Sequence, residues 1–278
     1  MWPFSSRPTV PVLRLLGPIG MATPLRPGLS IGTAAGPIER AFSMSKLPAV
    51  AVVINSPGGS PVQSNLIFKR IRQLADEKNK TVYVFCEDVA ASGGYYLAVA
   101  GDEIYADPSS IVGSIGVIAA GFGFDKAIEK LGVERRVYTA GNSKAVLDPF
   151  KPENPSDVAR IQAIQKDIHD VFIGIVKGRR EGKLRGDDGE LFDGAFWSAQ
   201  KAVDLGLIDG ISDVRTKMRE LFGEKTVLRV VPMGSGGLLS RLRRIPRMGS
   251  VVGGEPVPFA DEALSAFEAR MLWSRFGL

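Results

Sequence analysis

The chain has 278 residues, of which 45% are hydrophobic and 23% charged, so bulk disorder is excluded and one large domain, with or without decorated ends, is expected. A single cysteine excludes an internal disulfide, and a single histidine excludes a zinc site built from Cys and His ligands within one chain. The net charge of +5 owes much to arginines near the C-terminal end, so we expect a solvated basic tail rather than a nucleic-acid-binding stripe.

The N-terminal region lacks the features of an export signal. Pro11, Arg14 and Pro18 interrupt its apolar residues, so no signal peptide is predicted. The longest uncharged apolar stretch, residues 108–124, is rich in Gly and Ser and falls short of the roughly 20 strongly apolar residues that span a bilayer. We therefore expect a buried glycine-rich loop there and a cytoplasmic protein, with peripheral membrane contact as an alternative.

The hydrophobic pattern predicts strands and helices in alternation. Strands are expected at residues 10–16, 49–54, 81–85 and 103–106, and the second is an apolar, β-branched run typical of a strand buried on both faces. Helices are expected at 62–78, from Ser92 toward Ala100, and at 155–177, 197–205 and 213–222. The helix at 155–177 is expected to turn inward the side chains of Ile161, Ile164, Ile168, Phe172 and Ile175. This rhythm predicts an α/β layered fold with a largely parallel sheet.

Two residues suggest nucleophilic chemistry. Ser92 lies in the segment ASGGYY and Lys144 lies downstream in GNSKA. A serine hydroxyl needs a base to become a nucleophile, and a Ser-Lys pair is an alternative to Ser-His-Asp. Taken alone, a serine at a helix start is more often an N-cap, and a loop lysine is usually exposed. His169 lies within the long helix, where we expect solvent exposure or a structural hydrogen bond rather than catalysis.

Glycine-rich turns follow two of the predicted strands. Gly58 and Gly59 come just after the strand at 49–54, and Gly93 and Gly94 follow Ser92 at a helix start. Unhindered amides at such positions favour a developing oxyanion, although a Pro-Gly-Gly turn by itself is common. The residues before Ser92 are alanines, which departs from the Gly-x-Ser-x-Gly elbow and disfavours the α/β-hydrolase fold.

Several segments together resemble one family. INSPGGSPV at 54–62, DVAASGGYY at 88–96 and DPSSIVGSIGV at 107–117 resemble, in order and spacing, the signal peptide peptidase A family, also called protease IV. GNSK at 141–144 and FWSAQKAVDLGLID at 196–209 fit the same family. The resemblance covers roughly residues 9–215 and is specific.

The resemblance implies a crotonase/Clp-protease-like layered β-α-β superhelix and a serine endopeptidase with a Ser-Lys dyad. Carried over by position, Ser92 would be the nucleophile, Lys144 the general base, and Ser114 a hydrogen-bond partner of the lysine amine. The amides of Gly59 and Gly93 would form the oxyanion hole. The remaining positions expected to bind substrate are Gly58, Ser60, Gly113, Ile115, Gly116 and Val117. No metal or cofactor is expected.

The same resemblance implies a homo-oligomeric ring such as an octamer, in which relatives contribute the serine and the lysine from adjoining subunits. The expected layout is an N-terminal extension at 1–8, a Ser-Lys peptidase domain at 9–232, a Gly/Pro/Arg-rich linker at 233–258 and a C-terminal helix at 259–278. The linker and the terminal helix are expected to lie on a membrane surface or to pack between subunits.

Three functions remain open at this point. The first is cleavage of peptides, signal-peptide remnants or membrane-associated proteins with small or apolar side chains near the scissile bond. The second is an acyl-CoA enzyme of crotonase type, which leaves the pairing of Ser92 with Lys144 unexplained. The third is an oligomeric scaffold without catalysis, against which the intact pair argues. The first also requires burial to lower the lysine pKa from about 10.4 toward neutrality.

Overall fold

A computed structural model describes residues 7–20, 28–141, 143–233, 267 and 270–278. Within them, one sheet contains eight strands: Thr9–Leu16 (β1), Ala49–Ser56 (β2), Thr81–Ala91 (β3), Glu103–Ala106 (β4), Ile111–Gly113 (β5), Phe196–Ser198 (β6), Gly210–Ile211 (β7) and Val227–Val230 (β8). The helices are Ile31–Ser43 (α1), Pro61–Lys78 (α2), Gly93–Ala98 (α3), Asp125–Lys130 (α4), Pro155–Arg179 (α5), Asp188–Leu191 (α6), Ala199–Asp204 (α7) and Val214–Phe222 (α8).

The sheet is largely parallel, as the sequence predicts. Its strand order is β6-β5-β3-β2-β1-β8, and β4 pairs with β3 and β7. Every pair is parallel except β5 with β6. The long strand β3 pairs with β4 through Tyr83 to Cys86 and then with β5 through Val89 to Ala91. Strand β3 therefore changes its neighbour from β4 to β5 along its length, immediately before Ser92.

Both faces of the sheet are covered, which explains the unbroken apolar run of β2. Val50, Val52 and Ile54 face the main core, which includes residues of α1, α2, α3 and α5. Ala49, Ala51 and Val53 alternate with them and face a second core that contains Met218 of α8. A strand with a layer on each face cannot alternate between polar and apolar residues, because both sets of side chains are buried.

Three predictions from the sequence need correction. The helix predicted at 197–205 begins in the structure at Ala199, two residues later than predicted, because Trp197 belongs to β6 and Ser198 caps α7 by accepting the Lys201 N–H. Ile164 of α5 does not turn inward and is 48% exposed. The segment 108–124 is not buried throughout, because residues 118–124 are exposed in the single chain.

The predicted ends of the chain are only partly covered by the described residues. Residues 1–6, the linker from 234 onward and half of the predicted terminal helix lie outside them; residues 270–274 are helical. Among the helices that the structure describes, none is both long and apolar enough to cross a bilayer.

Candidate active site

Ser92 connects β3 to α3 with no intervening loop. Its backbone has a φ of 52° and a ψ of −121°, a strained conformation for a residue with a side chain. Its N–H donates to the Gly113 carbonyl at 2.8 Å, and its carbonyl accepts from the Tyr96 N–H at 2.9 Å. Although Ser92 occupies the N-cap position, its side chain makes no capping hydrogen bond. The hydroxyl is therefore not used to stabilise the helix.

Glycines allow the end of β2 to approach the Ser92 turn closely. A Cβ placed on Gly58 would lie 2.8 Å from the Cβ of Ser92. A Cβ on Gly94 would lie 2.4 Å from the carbonyl oxygen of Ser56. Both distances are too short for real carbon atoms, so any larger residue would push the two segments apart. The sequence motif of paired glycines is thus a packing requirement of this junction.

Two main-chain amides lie beside the Ser92 hydroxyl without internal acceptors. Ile19 pairs with the Gly59 turn, since the Ile19 N–H donates to Gly58 O and the Ser60 N–H donates to Ile19 O, both at 2.8 Å. The Gly59 N–H points away from that pairing. Neither it nor the Gly93 N–H has an acceptor among the residues that the structure describes. Two such donors beside one serine form an arrangement suited to a tetrahedral oxyanion.

An open cleft of about 590 Å³ contains Ser92, Gly59 and Gly93 in its wall. Its other lining residues come from α2, α3, α5, the segments around Gly58 and after β5, and the C-terminal end of the described chain: Pro57, Ser60, Pro61, Val62, Asn65, Leu66, Tyr96, Gly116, Val117, Ile118, Ile168, Val171, Phe172, Leu272 and Arg275. Most of these side chains are apolar, as is typical of sites that bind extended peptide or small ligands.

The segment after β5 runs along one side of this cleft. Gly116 and Val117 line the cleft, whereas Ile115 is fully buried in the main core. The Ile115 carbonyl lies 2.9 Å from the His169 Nε2, so His169 makes the structural hydrogen bond expected of it. Ser114 is buried, has a φ of 53° and donates its N–H to Ala195 O. Of the predicted substrate-binding positions, Ser60, Gly116 and Val117 line the cleft, and Gly58, Gly113 and Ile115 do not.

Lys144 is not brought to Ser92 by any contact within the described part of one chain. It lies in an exposed turn, and its Nζ makes no hydrogen bond or ion pair with another described residue. The surrounding arm, defined as residues 118–153, is held by its own contacts, among them Phe124 against Phe150 at 5.6 Å and Arg135 to Asp148 at 3.0 Å.

Some residues of the cleft are missed by sequence reasoning. Tyr96 lies four positions after Ser92, so the helical repeat alone places it on the same face of α3 as Ser92. Asn65 of α2 carries no such signal. Leu272 and Arg275 come from the far end of the chain, and nothing in the local sequence connects them with Ser92.

Comparison with known proteins identifies the family. Residues 75–227 match peptidase family S49. A protein of Synechocystis sp. named as a protease is 33% identical over 211 residues, which cover 75% of this chain and 72% of that relative. The chain belongs to peptidase family S49. This is a family of serine peptidases, and relatives named signal peptide peptidase SppA and protease 4 are found in Enterococcus faecium and Haemophilus influenzae, respectively.

A longer relative and a solved structure are also similar to this S49 chain. A Brucella abortus protein named as the Na(+)/H(+) antiporter NhaA is 52% identical over 275 residues, which are 97% of this chain but only 37% of that relative. A solved chain of the 1510-N membrane-bound stomatin-specific protease, in a mutant form, superposes with a TM-score of 0.50 at 15% identity. The superposition covers 82% of this chain and 99% of the solved chain, which confirms the Clp-protease-like fold.

Proposed function

We propose that this S49 peptidase cleaves peptide bonds with a Ser-Lys dyad through an acyl-enzyme. The observation that carries the proposal is the Ser92 hydroxyl together with the amides of Gly59 and Gly93, which line one cleft and have no hydrogen-bond partner among the described residues. Neither the hypothesis of a crotonase-type acyl-CoA enzyme nor that of a non-catalytic scaffold accounts for a strained serine at this position.

The proposed chemistry needs only groups of the protein and water. As Ser92 Oγ bonds to the substrate carbonyl carbon, its proton passes to the neutral amine of Lys144. The carbonyl oxygen becomes an oxyanion and accepts hydrogen bonds from the two glycine amides. When the C–N bond breaks, the leaving amine takes the proton from Lys144 Nζ. Water then attacks the acyl carbon and gives one proton to Lys144. As the ester C–Oγ bond breaks and the carboxyl product leaves, Lys144 returns that proton to Ser92 Oγ.

A second copy of the chain would supply Lys144 in this proposal. The arm that carries Lys144 is rich in exposed apolar side chains, with Tyr138 90% and Phe122 73% exposed, and Leu131 and Val133 also exposed. Large apolar side chains left in water in this number mark a surface that is covered in an assembly. Docking of this arm on a neighbour would also remove Lys144 from water, as a lysine that acts as a base requires. The assembly would be a closed ring.

Membrane-associated substrates are part of the proposal. The Brucella relatives carry a region 52% identical to this chain within a much longer protein named as an antiporter, and the solved neighbour is titled a membrane-bound protease. These names support a place of action beside a membrane, where signal-peptide remnants or exposed segments of membrane proteins would reach the cleft.

Mixed rings test the sharing of the dyad between subunits. Ser92→Ala and Lys144→Ala chains, each inactive alone, are dissociated, mixed in equal amounts and reassembled. If neighbours share each site, about a quarter of the sites regain an intact pair, because each residue is intact with a probability of one half. Peptide cleavage and fluorophosphonate labelling measure the recovery. A mixture as inactive as its two components would refute the shared site, and mixing without dissociation serves as the control.

A further inference from the structure

We infer that the cleft ends in a polar specificity pocket, formed by Tyr96 and Asn65, that hydrogen-bonds a neutral polar side chain of the substrate. The inference rests on the proposed peptidase function. Both side chains line the cleft that contains Ser92, yet the Tyr96 hydroxyl and the Asn65 Oδ1 are buried without a hydrogen-bond partner among the described residues. Buried polar groups are nearly always paired in folded proteins, so two unpaired groups in one cleft require an explanation.

Tyr96 is held rigidly at this position. Its ring packs edge-on against Phe68 at 5.8 Å and, tilted by 32°, against Phe172 at 4.9 Å, and the residue is only 3% exposed. Its N–H donates to the carbonyl of Ser92, which fixes it one helical turn beyond the nucleophile. Burial raises the pKa of Tyr96 to about 12, so its hydroxyl keeps its proton and stays able to donate.

The neighbouring tyrosine shows that the fold can satisfy such a group. Tyr95 is also buried, but its hydroxyl donates to the Leu207 carbonyl at 2.7 Å. Two adjacent tyrosines of one helix therefore differ: Tyr95 is paired within the protein, whereas Tyr96 lines the cleft and its hydroxyl has no partner among the described residues. The unpaired group leaves its hydrogen bond to be made by something that enters the cleft.

The chemistry of the pocket restricts its ligand. The Tyr96 hydroxyl can donate and accept, and Asn65 Oδ1 accepts, so a substrate group that both donates and accepts satisfies both. A hydroxyl or a primary amide meets this requirement. A cationic side chain is disfavoured because no Asp or Glu is among the described lining residues, and Arg275 is the single charged one. The pocket would hold the side chain of the residue whose carbonyl Ser92 attacks.

Matched peptides that differ only by threonine or valine at that residue test the inference. The two side chains have nearly the same shape, so their ratio of kcat/KM isolates the hydroxyl. We expect the full-length enzyme to favour threonine by about tenfold or more, because a site with unpaired polar groups rejects the apolar analogue. Tyr96→Phe and Asn65→Leu should each bring the ratio close to one. Tyr95→Phe, which removes a tyrosine hydroxyl outside the cleft, should leave the ratio unchanged.

A binding measurement separates failure of the pocket from failure of the peptidase proposal. N-acetylated peptides that end in threonine or valine are titrated into Ser92→Ala protein by calorimetry, with and without Tyr96→Phe. Equal affinity for the two peptides, an unchanged ratio after Tyr96→Phe, or a preference for an acidic residue that follows Arg275 would each overturn the inference. A threonine preference in binding, without cleavage by the wild-type chain, would refute the peptidase proposal and leave the pocket standing.

Discussion

Replacement of Ser92 by alanine is expected to abolish fluorophosphonate labelling and to lower kcat/KM for peptide cleavage by at least about 10³-fold. The change removes the attacking oxygen and leaves the two glycine amides and the cleft in place. Residual activity would then reflect only the stabilisation of water attack by those amides. Mass spectrometry of the labelled protein locates the modified residue, and peptide turnover gives the rate.

Lys144→Ala is expected to cause a loss of similar size, since a serine without its base is a weak nucleophile. Two exposed residues outside the cleft serve as matched controls: Ser109 is an exposed serine and Lys151 an exposed lysine of the arm, and alanine at either should leave labelling intact. Labelling that survives in the Ser92→Ala chain would contradict the assignment of the nucleophile. Full activity of Lys144→Ala would contradict the dyad.

The second large effect concerns stability rather than chemistry. Arg180 is 1% exposed, and its guanidinium donates to the Gly206 carbonyl and, at 2.8 Å, to Asp209 Oδ2. The same carboxylate accepts the Ile104 N–H at 2.7 Å. Asp209→Asn should lower the free energy of unfolding by about 3–5 kcal/mol, because it leaves a buried cation without its anion. Chemical denaturation measures the loss.

An exposed pair provides the matched control for Asp209. Asp170 pairs with Lys166 in solvent, so Asp170→Asn should change the unfolding free energy by less than about 0.5 kcal/mol. A loss of similar size in both variants would show that burial of the pair around Arg180 has no special weight.

The pair also makes stability depend on acid pH. Burial alone would raise the pKa of Asp209, but hydrogen bonds from Arg180 and Lys183 outweigh it and lower that pKa below its usual range. Such a group contributes its full stabilisation above the ordinary aspartate pKa of about 3.9, and the contribution is lost as pH falls through the lower folded value. The wild-type chain should therefore lose stability more steeply below about pH 4 than Asp209→Asn does.

Sequence reasoning finds the buried parallel strands because their pattern is local. The run of β2 is unbroken, and β3 is recognised at its start. The end of β3 is missed because Glu87 and Asp88 interrupt the apolar residues, yet pairing with β5 extends the strand to Ala91. Trp197 looks helical from its neighbours, but antiparallel pairing with Val112 decides its conformation. These errors arise where long-range pairing outweighs local preference.

The residues of the candidate site likewise divide into those that the sequence predicts and those that it does not. The types of residue around Ser92 are recognisable because close backbone approach demands glycine at fixed places, a demand that is visible in the sequence. Tyr96 is recoverable from helical spacing. Asn65 depends on how α2 packs over α3, and the exposed Ile164 reflects a helix face that a single chain does not cover. Neither can be obtained from a periodic pattern alone.

The strained backbone of Ser92 means that the free-energy cost of orienting its hydroxyl is met during folding. A residue with a side chain in that region of φ and ψ is strained by on the order of 1–3 kcal/mol, and interactions in the rest of the fold offset this strain. In the proposed mechanism the hydroxyl is thus already in position when a peptide arrives, and no rearrangement of this turn has to accompany each turnover. Glycine at the same position would relieve the cost, so the Ser92→Gly chain should be more heat-resistant than the wild type.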